Sequence, residues 1–215
     1  MPPRPKHSNN MTYKEHPLHV LALGYKRVIG YAVLGALAGF ALSFLSPLEY
    51  SSSVRLLITQ PNAVNVDSFT VLKSNERIAQ NLAQLLGTSS FFDNIVGQAE
   101  NYDRSAIPQN EYDKRKFWNR SVSVGVEAGS GLMTVTVYAP QVSQARSLVW
   151  AASNEIAKQA PNYFGSTVRV SVIDAPLDSR WYARPNIPMN AAYGAVVGGM
   201  LTIAWLLLRR TKREA

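Results

Sequence analysis

Two stretches of the chain carry no charge at all. Residues 28–48 (VIGYAVLGALAGFALSFLSPL) make the first, 21 residues long. Residues 186–208 make the second, with an apolar body that starts at Met189. A hydrocarbon layer of about 30 Å takes roughly 20 helical residues to cross. Both stretches reach that length and predict transmembrane helices. A helix buried in a soluble core normally keeps one polar face, and neither stretch has a charge on any face. The first run is longer than the apolar part of a signal peptide. The sequence SFLSPLEY across its end offers no small-residue cleavage site, so an uncleaved span is predicted.

Between the spans the period of the pattern changes several times. Tyr50–Thr59 (YSSSVRLLIT) predicts a strand, broken at Pro61-Asn62. Asp67-Ser68 can cap a helix that runs to Leu86. In it Leu72, Ala79, Leu82 and Leu86 fall at helical spacing, and Gly87 stands where a helix stops. Ser89–Gln98 predicts a shorter helix, and Pro108–Arg120 a polar one after its proline. Ser121–Val126 and Leu132–Ala139 then alternate at period two around the turn residues 128–131, which predicts a β-hairpin. Val142, Ala145, Val149, Ala152 and Ile156 recur at steps of three and four, predicting an amphipathic helix over Val142–Ala160. Val168–Ile173 closes the series as a strand.

That order predicts an α+β fold, with helices on one face of a mixed or antiparallel sheet. Residues 175–188 follow, carrying Pro176, Pro185 and Pro188, and predict an extended, stiff exit segment. Trp181 and Tyr182 within it suit either an interfacial aromatic belt or an ordinary loop. The predicted layout is a tail at 1–27, a span at 28–48, one α/β domain at 49–188, a span at 189–208 and a tail at 209–215.

The net charge of +8 resembles a nucleic-acid signal until its placement is considered. Residues 1–27 hold five basic side chains and one acidic one, and residues 209–215 hold four and one. The stretch between them is nearly neutral, with 13 basic and 12 acidic residues. Basic residues cluster on the cytoplasmic side of membrane helices, close to their ends. Both termini are therefore predicted in the cytoplasm of an inner membrane and the middle domain outside. The partner implied is a lipid bilayer, not nucleic acid.

Candidate chemistry is sparse. The histidines are His7, His16 and His19, all near the amino terminus, and there is no cysteine. A zinc site in the middle domain would need carboxylates alone, which is unusual, and a Ser–His or Cys–His nucleophile is excluded there. Asp93, Glu100, Asp103, Glu111 and Asp113 lie among Arg104, Lys114, Arg115 and Lys116, the pattern of a solvated helix face. No phosphate-binding glycine loop occurs. No catalytic residue, metal or cofactor is expected. What stands out is one small-residue pair in each span: Gly35 with Gly39, and Gly194 with Gly198. Glycines four apart let helix backbones approach closely, which predicts self-association, within a chain or between chains.

The order of features resembles the Wzz-type polysaccharide co-polymerases, or chain-length determinant proteins. The features are a basic tail and membrane helix, then the strand Pro47–Thr59 and the helix Val71–Gly87 with Ser74. After these come the strand and helix Met133–Ile156 and the proline-bearing Ile173–Pro188. The resemblance covers roughly residues 18–210. Ala139-Pro140 stands where the family usually has Asp-Pro, and Trp181 where a proline is expected. It implies a non-catalytic homo-oligomer that works with a polysaccharide polymerase and a growing glycan, with Arg104, Lys114, Arg115, Lys116 and Arg120 as polar contacts. Some small members act on a separate tyrosine kinase through a tail. The seven residues after Leu208 hold no tyrosine, which argues against that partner. The alternative is a two-span sensor or ligand-binding protein.

Overall fold

The segments of period two pair into one antiparallel sheet of four strands, in the order β2-β3-β1-β4. The computed structural model describes residues 17–60, 67–100 and 102–214, with backbone alone at 17–24 and 210–214. The predicted break at Pro61-Asn62 and the basic tail through residue 16 lie outside the described residues. The chain divides into two units, Pro47–Pro185 and a helical unit made of Met1–Ser46 with Asn186–Ala215.

The sheet unit contains β1 (Tyr50–Thr59), α2 (Ser68–Leu86), α3 (Ser89–Gln98), α4 (Glu111–Ser121), β2 (Val122–Val126), β3 (Leu132–Ala139), α5 (Val142–Phe164) and β4 (Arg169–Asp178). Alternation along β1 and β3 places Val54, Leu56, Ile58, Met133, Val135 and Val137 on one buried face. The other face keeps small polar residues, where Ser53 and Thr136 share a hydroxyl hydrogen bond of 2.8 Å. Helix α5 covers the buried face with Ala145, Leu148, Val149, Ala152 and Ile156. Helices α2 and α3 complete the core with Leu82, Leu86, Phe92 and Ile95. The arrangement is the expected α+β one, helices against an antiparallel sheet.

Local chemistry sets the ends of these elements. The Asp67 carboxylate accepts from the N–H groups of Phe69 and Thr70 at 3.1 and 3.3 Å, satisfying free donors at the start of α2. Leu72 has the right helical phase for the core but is exposed, and the buried stripe of α2 begins at Asn75. Phase reports which face of a helix turns inward, not how far its neighbour extends. The turn between β2 and β3 holds Gly129 at φ 71°. At Gly131 a Cβ would strike the Ile58 carbonyl oxygen, so only glycine lets the hairpin close onto β1.

The exit segment departs from the sequence expectation. A strand ending at Ile173 was expected, with a free connector from Ala175. Instead β4 continues to Asp178, paired with β1, and its register slips between Ser53 and Leu56 of β1. Pro176 falls at that slip, on an edge strand. Both circumstances tolerate a residue that donates no ladder hydrogen bond.

The helical unit pairs α1 (Pro17–Ser43) with α6 (Ile187–Glu214). Within them Tyr25–Ser43 and Ile187–Arg209 are long and apolar enough to cross a membrane. Helix α1 starts earlier than residue 28 and stops five residues short of Leu48. Pro47 disfavours helical geometry at Ser46, and a turn over Phe44–Ser46 closes the helix instead.

Two features of the sheet unit yield tests. Trp118 on α4 is 1% exposed, its ring lies 5.0 Å from that of Phe92, and its indole N–H donates to the Leu86 carbonyl at 2.6 Å. That bond satisfies a carbonyl at the end of α2 that has no helical partner. Trp118→Ala is expected to cost about 3–5 kcal/mol and Trp118→Phe about 1–2 kcal/mol, measured by urea unfolding of the full chain in detergent. Buried Glu76 joins α2 to the hairpin turn by accepting from Lys73, Gln80 and the Gly129 N–H at 2.9, 3.1 and 3.1 Å. The Lys73 ammonium and then the Gly129 N–H hold its carboxyl below the ordinary value of 4.5. A lowered carboxyl adds stability above 4.5 that is lost as pH falls below it. Glu76→Gln should therefore lower the melting temperature at pH 7, and the difference from the parent should shrink as pH falls below 4.5.

Candidate functional site

The four glycines singled out from sequence meet each other inside one chain. A Cβ on Gly35 would strike the Gly194 carbonyl oxygen, and one on Gly194 the Gly35 carbonyl oxygen. Gly39 lies against the carbonyl of Asn190 in the same way, and Gly198 against that of Tyr31. The helices run antiparallel, each laying backbone oxygens on the other's bare Cα atoms. Contact this close brings Cα–H groups onto carbonyls, which needs residues without side chains. At one end Asn190 donates its amide to the Ser43 hydroxyl at 3.0 Å, and Ser43 donates to the Gly39 carbonyl at 2.9 Å. The sequence leaves open whether the pairs meet within a chain or between chains, and in this structure of one chain they meet each other.

With the glycines turned inward, the larger side chains turn out. Leu34 is 59% exposed and Leu201 67%, and Leu37, Leu42, Val196, Val197 and Met200 are also exposed. In water this would be an apolar patch far beyond what soluble monomers show.

The three prolines lie in different parts of the fold. Pro176 lies in β4. Pro185 follows Arg184, whose backbone bridges Glu49 and whose guanidinium lies 3.4 Å from the centre of the Tyr138 ring. Pro188 sits in the first turn of α6, where a missing N–H costs nothing. The polar side chains suggested for glycan contact are partly engaged already. Arg104 donates to the Val96 carbonyl at 3.0 Å. Lys114 is gripped by Asp93 and Glu111, both at 3.0 Å, and those hydrogen bonds, Asp93 first, push its pKa above the ordinary lysine value. Ser74 donates to the Gln60 side chain at 2.9 Å, tying α2 to the end of β1. Among the described residues, no group of three or more His, Asp or Glu side chains is placed to hold a metal.

A concavity of the sheet unit was not singled out from sequence. It is an open groove of about 930 Å³ between α5, the end of α3 and β4. Pro176 lines it, as do Trp150, Asn154 and the ion pair of Arg146 with Asp178. The Gln98 amide on its wall donates to Glu155 at 2.7 Å. Glu155 is 1% exposed and accepts also from Asn94 and Gln159 at 2.8 and 3.0 Å. Burial pushes the Glu155 carboxyl up, but the amides of Gln159, Gln98 and Asn94 outweigh it and hold the group below its ordinary value. A signal for the groove did exist. Trp150 is out of phase with the apolar stripe 142, 145, 149, 152, 156 and falls on the polar side of α5.

The antiparallel seam generates a direct test. A Cβ on Gly199 would lie 3.9 Å from that of Ala32, inside the range for a disulfide, and the chain has no native cysteine. Ala32→Cys with Gly199→Cys should oxidise to an internally linked monomer on a non-reducing gel. Adding Gly35→Leu and Gly194→Leu should abolish the link, and a linked dimer instead would place the seam between chains. No protein-family model matches the chain, and no curated protein matches it.

Proposed function

We propose that the chain is a non-catalytic membrane scaffold of the polysaccharide co-polymerase kind. In this role α1 and α6 cross an inner membrane, both termini face the cytoplasm, and residues 49–188 form the extracytoplasmic domain. A homo-oligomer of such chains sets how far a polymerase extends a glycan before release or export.

The observation that carries it is the outward face of the paired helices. A core helix of a soluble protein buries its leucines. Here the polar and backbone groups are satisfied at the seam while Leu34, Leu37 and Leu201 are bare, as a lipid solvent requires. The sequence between the helices adds the α+β order, Ser74 and the proline-bearing exit segment of the resemblance. The charge bias toward both ends supports the orientation. Because the glycines are occupied within the chain, contacts between chains fall to the outward helix faces and the sheet unit.

A two-span ligand-binding protein is the second possibility, favoured by the groove beside α5. The two differ in what deletion does. A reporter active outside the membrane should work when inserted near residue 110 and fail when fused after Ala215. Deleting the chain from a host that makes a polymeric glycan should shift the length distribution on a gel. An unchanged distribution overturns the scaffold role, and a reversed reporter pattern overturns the topology.

A further inference from the structure

The outward face of α5 is built unlike an ordinary solvated helix face. Ser143, Ser147, Trp150 and Asn154 follow one another at steps of four, three and four, so they form one stripe opposite the core stripe. Trp150 is 45% exposed in the wall of the groove. An aromatic side chain is a large apolar surface with a polar edge, and here most of its neighbours in the groove are polar. Seven of the eleven lining residues are polar or charged. The wall presents polar and apolar surface in similar amounts, as a ligand with both kinds of face requires.

The polar groups are partly committed and partly free. Ser147 donates to the Glu100 carbonyl at 2.6 Å, joining α5 to the segment after α3. Arg146 pairs with Asp178, joining α5 to β4. The Glu155 cluster fixes Gln98. These bonds hold the walls in place before any ligand arrives, which lowers the cost of binding. Among the described residues, the Trp150 indole N–H, the Asn154 amide and the Ser143 hydroxyl make no hydrogen bond, and Oδ1 of Asp178 is buried without a donor. The Asn154 amide and the Ser143 hydroxyl each offer both a donor and an acceptor beside a flat aromatic face.

The charge of the groove narrows the ligand. The groove is lined by one cation, Arg146, and two carboxylates, Asp178 and Glu100, so it has no positive excess to attract phosphate or uronate. A ligand dense in hydroxyl groups, with an apolar C–H face and no charge, matches all three features. We infer that this groove binds neutral sugar units of an oligosaccharide. Trp150 stacks against the C–H face of one ring, and Asn154 with the Arg146–Asp178 pair bonds its hydroxyls. The groove alone carries this assignment, and the glycan-length role can fail without affecting it.

The test uses the full chain in phosphatidylcholine nanodiscs, since sugar-headed detergents would compete. Gluco-, galacto-, manno- and rhamno-hexasaccharides are titrated by calorimetry, with an oligogalacturonate as the anionic control. At least one neutral probe is expected to bind, and the anionic one to bind at least tenfold more weakly. Trp150→Ala and Asn154→Ala, checked for an unchanged melting temperature, should each weaken binding tenfold or more. Trp150→Phe should retain part of it. Failure of every neutral probe, or equal binding by the folded Trp150→Ala and Asn154→Ala chains, overturns the assignment, and tighter binding of the anionic probe overturns the ligand class. An altered glycan ladder on deletion alongside no sugar binding would leave the scaffold standing and remove the groove.

Discussion

Backbone lies on backbone where α1 meets α6, and the helical unit depends on that contact. Carbonyl oxygens of each helix rest where the other has glycine, at Gly35, Gly39, Gly194 and Gly198. A single methyl group at any of these positions would come far closer to a carbonyl oxygen than van der Waals contact allows. In the membrane setting proposed above there is no hydrophobic drive between helices, so close packing and interhelical hydrogen bonds would hold them together. The Asn190–Ser43 bond adds the second of these at one end. Turning the glycines inward forces Leu34, Leu37, Val196 and Leu201 outward, so the seam and the greasy surface are one arrangement seen from two sides.

In the sheet unit α5 has the comparable position. Its inner stripe of alanines, leucine, valine and isoleucine closes the core against β1 and β3. Its outer stripe forms one wall of the groove, with Trp150 standing in it. Glu155 sits at the boundary of the two, buried and held by three amides. A buried carboxylate without hydrogen bonds would be expensive to keep charged. Satisfied, it stiffens the contact between α3 and α5 and so the shape of the groove wall.

Much of the element pattern was legible along the chain. The cap at Asp67, the helix Ser89–Gln98, the β2–β3 hairpin and the start of α5 all follow from local rules of capping, turn chemistry and period. Legibility failed where a neighbour decided the outcome. Pro176 reads as a breaker, yet β1 recruits it into an edge strand because an edge tolerates a missing donor. Leu72 has the phase of a core residue, yet it is exposed. The groove was hidden because its wall comes from α3, α5 and β4, which are distant in sequence. Only the displaced phase of Trp150 hinted at it.

The sequence by itself determined two uncharged apolar helices with basic flanks, and between them an α+β unit without histidine or cysteine. Those properties depend on composition and on periods a few residues long, which the chain carries locally. Only the tertiary structure decided that the two glycine pairs face each other within one chain, that β4 absorbs part of the exit segment, and that Trp150, Asn154 and Asp178 share one groove. Each of those outcomes depends on which distant backbone comes within contact range, and a one-dimensional pattern does not encode that distance.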